Sequence, residues 1–249
     1  MKMKRGLIIG KGWIGSRLED FLQHKYTFTT TKRESDAVNC ISVNFDAELI
    51  PFINTKKYDF VIITIPFGKR HSLKELELRF TNISNFLSNY KGQIILLSST
   101  GIYPNNDQIV NEDTYHETDL AEPYISIENL IKMHFPQLNI LRLGGIMGDD
   151  RYLSKYIDLN KDELNDMVNH IHFKDIIKVI NTCIEKEVKS TIYNVVAPQH
   201  PTKREILEYQ INNKVLDATI KKGKIISSEK LISELNYQFL FPNPLEFKS

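Results

Sequence analysis

The sequence predicts an α/β fold: a doubly wound parallel sheet with a small C-terminal α/β lobe. Three observations predict it. Short, nearly unbroken apolar runs alternate with longer stretches of helical periodicity, the pattern of repeated βαβ units. The first apolar run ends in a glycine-rich turn, GKGWIG at 10–15, that opens a helical pattern. After about residue 145 the pattern changes to shorter strands and helices, so a boundary is expected between 1–145 and 146–249.

Each element has its own reason. RGLIIG at 5–10 has no polar position between Leu7 and Ile9, as a strand covered on both faces requires. A helix from about Gly12 to Gln23 sets Ile14, Leu18, Phe21 and Leu22 on one side. YTFTTT at 26–31 is rich in β-branched and aromatic residues and reads as the second strand, with ISVNF at 41–45 as the third. YDFVIITIPF at 58–67 is the fourth, ended by Pro66, which cannot donate to a ladder. A helix over 72–90 carries Leu73, Leu76, Phe80, Ile83 and Leu87 at helical spacing, and GQIILLSST at 92–100 is the fifth strand. A polar, turn-rich stretch at 103–123 leads through Pro123 into a helix over 124–133, then a sixth strand, LNILRLGG at 138–145. Beyond it a helix near 151–158, a strand at 168–172, a helix at 173–186, a strand at 191–196 and helices at 202–212 and 227–235 are expected. There is no internal repeat, low-complexity segment or long linker.

Composition excludes several classes of function. With 32 Lys and Arg against 31 Asp and Glu, the formal charge of +1 provides no global field to recruit nucleic acid or an anionic membrane. Cys40 and Cys183 fit no metal-ligand spacing and no disulfide framework, so no metal site is expected. No apolar run approaches the ~20 residues that span a bilayer, and the basic start lacks the apolar stretch and cleavage site of a secretory leader. The expectation is a soluble, cytoplasmic globular protein whose partner is a small molecule.

GKGWIG is a G-x-G-x-x-G motif in the context it needs, after a strand and at a helix start. Gly10 allows the tight turn, Gly12 lets the backbone approach a pyrophosphate, and Gly15 lets helix pack on strand; Trp13 and Ile14 complete the loop. The helix's first N–H groups and positive dipole end then face phosphate. Residues 1–145 thus read as a Rossmann domain binding a dinucleotide, and 146–249 as a smaller lobe leaning on it. An NAD site usually has Asp or Glu at the end of the second strand, on the ribose 2′-hydroxyl. Here Lys32 and Arg33 stand there, with Glu34 and Asp36 only later. Two cations suit a 2′-phosphate, which favours NADP(H) over NAD(H) without excluding the latter. Asp46, after the third strand, could face the adenine or solvent, and Pro66 and Phe67 at the fourth strand's end could line the cofactor.

Five stretches in order, GKGWIG at 10–15, SSTGIYP at 98–104, ILRLGGIMG at 140–148, NHIHFKDI at 169–176 and TIYNVVAPQHPTKREI at 191–206, span nearly the whole chain. With them the chain resembles the extended and atypical short-chain dehydrogenase/reductase superfamily, in particular its NAD-dependent epimerase/dehydratase-like branch. The resemblance implies a seven-stranded parallel sheet and substrates that are nucleotide sugars or related carbonyl and alcohol compounds. It also implies hydride transfer assisted by a Tyr acid/base, a Ser or Thr on the reacting oxygen, and a Lys four residues after the Tyr. Ser99 and Thr100 match the Ser/Thr position, and Tyr124 the Tyr. The residue four on is Glu128, and a carboxylate there disfavours tyrosinate. In a second alignment Leu120 takes the Tyr position, Tyr124 the Lys position, and the pair is absent. Tyr103, Gly145, Arg151 and His172 are candidates for the substrate side; Tyr103 and His172 read more readily as structural, and Arg151 could clamp a phosphate or carboxylate or pair with Asp149 or Asp150. Four-helix dimer interfaces are frequent among relatives, which would make a homodimer. Two functions stay open: an NAD(P)-dependent oxidoreductase or epimerase-like enzyme, and a dinucleotide-binding sensor that has lost the chemistry.

Overall fold

Seven parallel strands form the frame. The computed structural model describes residues 3–35, 37–48, 50–67, 71–156, 164–212 and 221–247. The strands are β1 (Arg5–Ile9), β2 (Thr27–Lys32), β3 (Cys40–Ser42), β4 (Phe60–Ile63), β5 (Gln93–Ser99), β7 (Leu138–Leu143) and β10 (Ile192–Val195). The strand order is β10-β7-β5-β4-β1-β2-β3, so β1 lies inside the sheet, paired with β2 through Leu7–Thr29 and with β4 through Leu7–Val61. Leu7, Ile8 and Ile9 have no exposed surface, as the unbroken apolar run requires. Burying each contributes about 1.5–3 kcal/mol.

Helices α1 (Trp13–Leu22), α2 (Leu73–Leu87), α3 (Tyr124–His134) and α4 (Phe173–Glu185) join these strands. On α2, Leu76, Phe80, Ile83 and Leu87 are buried, while Leu73 lies on the outer side of the first turn. On α1, Ile14, Leu18 and Leu22 are buried, whereas Phe21, at the edge of the same stripe, is exposed. Two short pairs complete the described strands: β6 (Ile109–Val110) with β11 (Ile225–Ile226), and β8 (Gly145–Met147) with β9 (His170–His172), both parallel. Helices α5 (Lys203–Asn212) and α6 (Glu229–Leu235) follow β10 and β11.

The expected sixth strand over 138–145 is two: β7 ends at Leu143, and Gly145 begins β8, which pairs with β9 instead. Gly144 makes the break, since a Cβ there would sit 2.3 Å from the Asn169 carbonyl oxygen. The fourth strand spans only 60–63 of the expected 58–67. Where a helix was expected near 151–158, a single 3-10 turn covers Leu153–Lys155, and residues 157 and 158 lie outside the described residues.

The chain forms two compact units from interleaved segments. One consists of Met1–Ile102, Leu120–Leu141 and Ile180–Ile192; the other of Tyr103–Asp119, Arg142–Val179 and Tyr193–Ser249. The reason lies in the sheet: β7 and α4 pass from one unit to the other within their own length, so no single cut after residue 145 separates them. No helix among the described residues is long and apolar enough to cross a membrane.

Candidate functional site

The glycine turn occupies the carboxyl end of β1 in the first unit, where open α/β sheets hold their ligands. Gly10 has φ +103°, a conformation that side chains rarely adopt. Its N–H donates to Thr31 Oγ1 at 3.0 Å, and its carbonyl accepts from Thr64 Oγ1 at 2.6 Å, tying the ends of β1, β2 and β4 together. A Cβ on Gly15 would lie 2.1 Å from the Gly10 carbonyl oxygen, so α1 can approach β1 only without one. A Cβ on Gly12 would meet nothing within 4 Å. That glycine faces open space at the helix start, where the first N–H groups have no partner within the helix. Ile14 is buried. Trp13 is half-buried, with the Arg17 guanidinium stacked 3.7 Å from its ring centre.

A cavity of about 310 Å³ opens beside this turn. Its lining includes the sequence-predicted Gly10, Gly12, Lys32, Arg33, Asp46 and Pro66. Trp13, Ile14, Gly15 and Phe67 are not in that lining; Phe67 is buried against Phe80 and Tyr124, with ring centres 5.2 and 5.7 Å away.

Asp46 organises the charges in the cavity. One carboxylate oxygen accepts from Arg33 at 2.7 Å and the other from Arg79 at 2.6 Å. The Arg79 hydrogen bond, with the Arg33 charge behind it, holds this carboxyl below the ordinary aspartate range. Arg79 in turn approaches His71 Nε2 at 3.3 Å. Helix α2 supplies the geometry. Ser72 and Glu75 form a capping box that fixes its start. Arg79 follows one turn later, and Asn82 donates at 2.9 Å to the carbonyls of Phe45 and Ala47 on either side of Asp46. Sequence reasoning found Asp46 and missed Arg79, His71 and Asn82. A signal existed: Arg79 lies three residues after Leu76 and four before Ile83, and a charge on that buried face implies a buried partner.

A second group of side chains gathers at the end of β5. Gly101 is flanked by two hydroxyls: a Cβ there would be 3.1 Å from Tyr124 Oη and 3.2 Å from Ser99 Oγ. Ser99 Oγ accepts from the Gly101 N–H at 3.0 Å. Thr100 is buried in the following 3-10 turn, so of the two predicted hydroxyls Ser99 is the more open. Glu128 is fully buried, accepting from Ser98 Oγ at 2.5 Å, and so fastens α3 to β5 one turn after Tyr124. Leu120 precedes α3, whereas Tyr124 is its first residue.

Tyr103, Gly145, Arg151 and His172 lie in the second unit. Tyr103 is buried; its hydroxyl donates to Asn194 Oδ1 at 2.8 Å and accepts from Arg142 at 2.9 Å. Burial raises its phenol above the ordinary value, against the pull of Arg142. His172 is buried and stacked on Phe241, with ring centres 3.8 Å apart, and burial pushes its imidazole down to about 4. A Cβ on Gly148 would lie 2.4 Å from His172 Nε2, so the ring packs where only a glycine leaves room for it. Both side chains therefore have packing and hydrogen-bonding work inside this unit. Gly145 is exposed at the start of β8. Arg151 exchanges backbone hydrogen bonds with Gly148 at 2.9 and 3.1 Å. No group of His, Cys, Asp and Glu suited to a metal ion occurs among the described residues.

No family model matches the chain. It is similar to protein YeeZ of Escherichia coli (strain K12), at 25% identity over 271 residues and 98% of each chain. Among solved structures it is similar to the human epimerase family protein SDR39U1 with NADPH. That match has TM-score 0.69 and 14% identity over 98% of this chain and 97% of that one. It is also similar to ADP-L-glycero-D-manno-heptose-6-epimerase of Helicobacter pylori (TM-score 0.71, 16% identity, 98% and 95%). A third similar structure is the Bordetella bronchiseptica enzyme WbmG in complex with NAD (TM-score 0.71, 13% identity, 98% and 92%). At these identities the likeness establishes the Rossmann-like fold of epimerase and dehydratase proteins, which is the fold that the five sequence stretches resemble.

Proposed function

We propose that the chain binds a nicotinamide dinucleotide, NADP(H) in preference to NAD(H), and acts as an oxidoreductase or epimerase-like enzyme on a carbonyl or alcohol group. A nucleotide sugar or related compound is the substrate class. One observation carries the reading: a cavity that runs from a bare Gly12 at a helix N-terminus to the guanidinium groups of Arg33 and Arg79. The backbone at Gly12 has the room that a pyrophosphate needs, and the cations at the β2 end suit an additional phosphate. The neighbours' names add support, since SDR39U1 is described with NADPH and WbmG with NAD. Such a cofactor, when bound, gives or takes a hydride. Gly10, Gly12, Gly15, Lys32 and Arg33 would hold it. The Ser99 hydroxyl would donate to the substrate oxygen, and the Tyr124 hydroxyl would deliver or accept its proton.

Glu128 supports a second reading. The position that holds a cation in the resembled family holds a buried carboxylate here, bound to Ser98. A cation there would assist proton loss from Tyr124; a carboxylate does not. A dinucleotide-binding sensor without turnover accommodates that difference.

Titration with NADPH and NADH, followed by nucleotide fluorescence, tests the first part. Binding of neither refutes the reading, and Arg33→Ala weakening both equally refutes the 2′-phosphate role. Turnover tests the second. With a carbonyl substrate panel, Ser99→Ala and Tyr124→Phe should each lower the rate by about 10²–10⁴-fold. Unchanged rates would remove these residues from the chemistry, and binding without any turnover would favour the sensor.

A further inference from the structure

Resting on the dinucleotide reading, we propose that Asp46 is the specificity-determining residue of the cavity. It is a fixed internal counter-ion that offsets Arg33 and Arg79 and limits how strongly a 2′-phosphate is preferred to a 2′-hydroxyl. Three features on α2 and its neighbouring loop lead there. Asp46 is immobilised: Asn82 pins the carbonyls on both sides of it, and Arg79 takes one carboxylate oxygen. Its two arginines differ in freedom, for the Arg79 side chain is 6% exposed and that of Arg33 is 68% exposed. Both ion pairs lie on the wall of one cavity with the glycine turn.

A phosphate entering beside Lys32 therefore draws Arg33 away from Asp46, while Arg79 stays and keeps the carboxylate paired. No buried charge is left alone by the exchange, so the cavity can admit a phosphate without unfolding its wall. The carboxylate nevertheless remains close and repels the phosphate. A ribose 2′-hydroxyl has the opposite relation to Asp46, since it can donate to the oxygen that Arg33 shares. One residue thus acts against NADP(H) and in favour of NAD(H), within a cavity whose other charges act the other way.

The test measures NADPH and NADH affinities of the full chain as wild type, Asp46→Asn, Arg79→Gln and the double variant. Asp46→Asn should raise the NADPH-to-NADH affinity ratio about tenfold, with a steeper salt dependence for NADPH. Arg79→Gln leaves Asp46 with Arg33 alone and should lower the ratio by a similar factor. The double variant should return it close to wild type. If Asp46→Asn fails to fold, with Arg79 left uncompensated, the Arg79→Gln ratio decides alone. An unchanged ratio in the folded single variants overturns the proposal while leaving the dinucleotide reading intact. Absence of binding of either nucleotide to wild type overturns both.

Discussion

Gly12 and Gly15 stand three residues apart in one motif and answer opposite tests. Alanine at 12 puts a methyl into open space, so the fold should keep its stability while dinucleotide affinity drops. Alanine at 15 drives a methyl into the Gly10 carbonyl, so stability should fall by about 1–3 kcal/mol, as overpacking does. Thermal melts beside nucleotide titrations separate the two; equal losses of stability would contradict the geometry. The motif's backbone logic was legible because a glycine's role follows from local spacing. Asp46 was legible only as a choice between adenine and solvent, because its partner Arg79 comes from a helix 33 residues on. The burial of His172 was illegible for the same reason. Its stacking partner Phe241 is remote in sequence, and a histidine in a strand shows nothing of its environment.

At the scale of elements, nearly unbroken apolar runs announced β1, β4 and β5, and β-branched and aromatic residues announced β2. β6, β8 and β11 went unforeseen because two or three residues carry no period to read. Helix α3 was foreseen from the Pro123 that introduces it, but its attachment was not. It is fastened to β5 by Ile127 and Ile131 in the core and by the Ser98–Glu128 hydrogen bond beside them. Ser98→Ala removes a buried donor from that carboxylate and should destabilise the fold by about 1–3 kcal/mol. Denaturant unfolding checks the value, and a change below about 0.5 kcal/mol would mean that apolar packing alone seats the helix. Since Tyr124 begins the same helix, the variant should also loosen the meeting of Tyr124 and Ser99 around Gly101.

The whole molecule responds to pH through imidazoles it keeps neutral. Burial holds His172, and likewise His170, down to about 4. The unfolded chain binds protons at both near the ordinary value of about 6.5. Between those values the unfolded state carries more protons, so stability is complete above about pH 6.5 and declines as pH falls toward 4, by up to about 3 kcal/mol per ring. A melting temperature that stays level across this window would contradict their burial. The order of the sheet also has a consequence during synthesis. β5, whose Ile94, Ile95 and Leu96 are fully covered in the finished protein, has β7 as its outer neighbour. At ribosomal speeds of about 5–20 residues per second, that neighbour emerges roughly 2–9 s after β5 itself. For those seconds the nascent chain presents an apolar strand with an unpaired edge, the kind of surface that chaperones recognise and that crowded ribosomes can join in error.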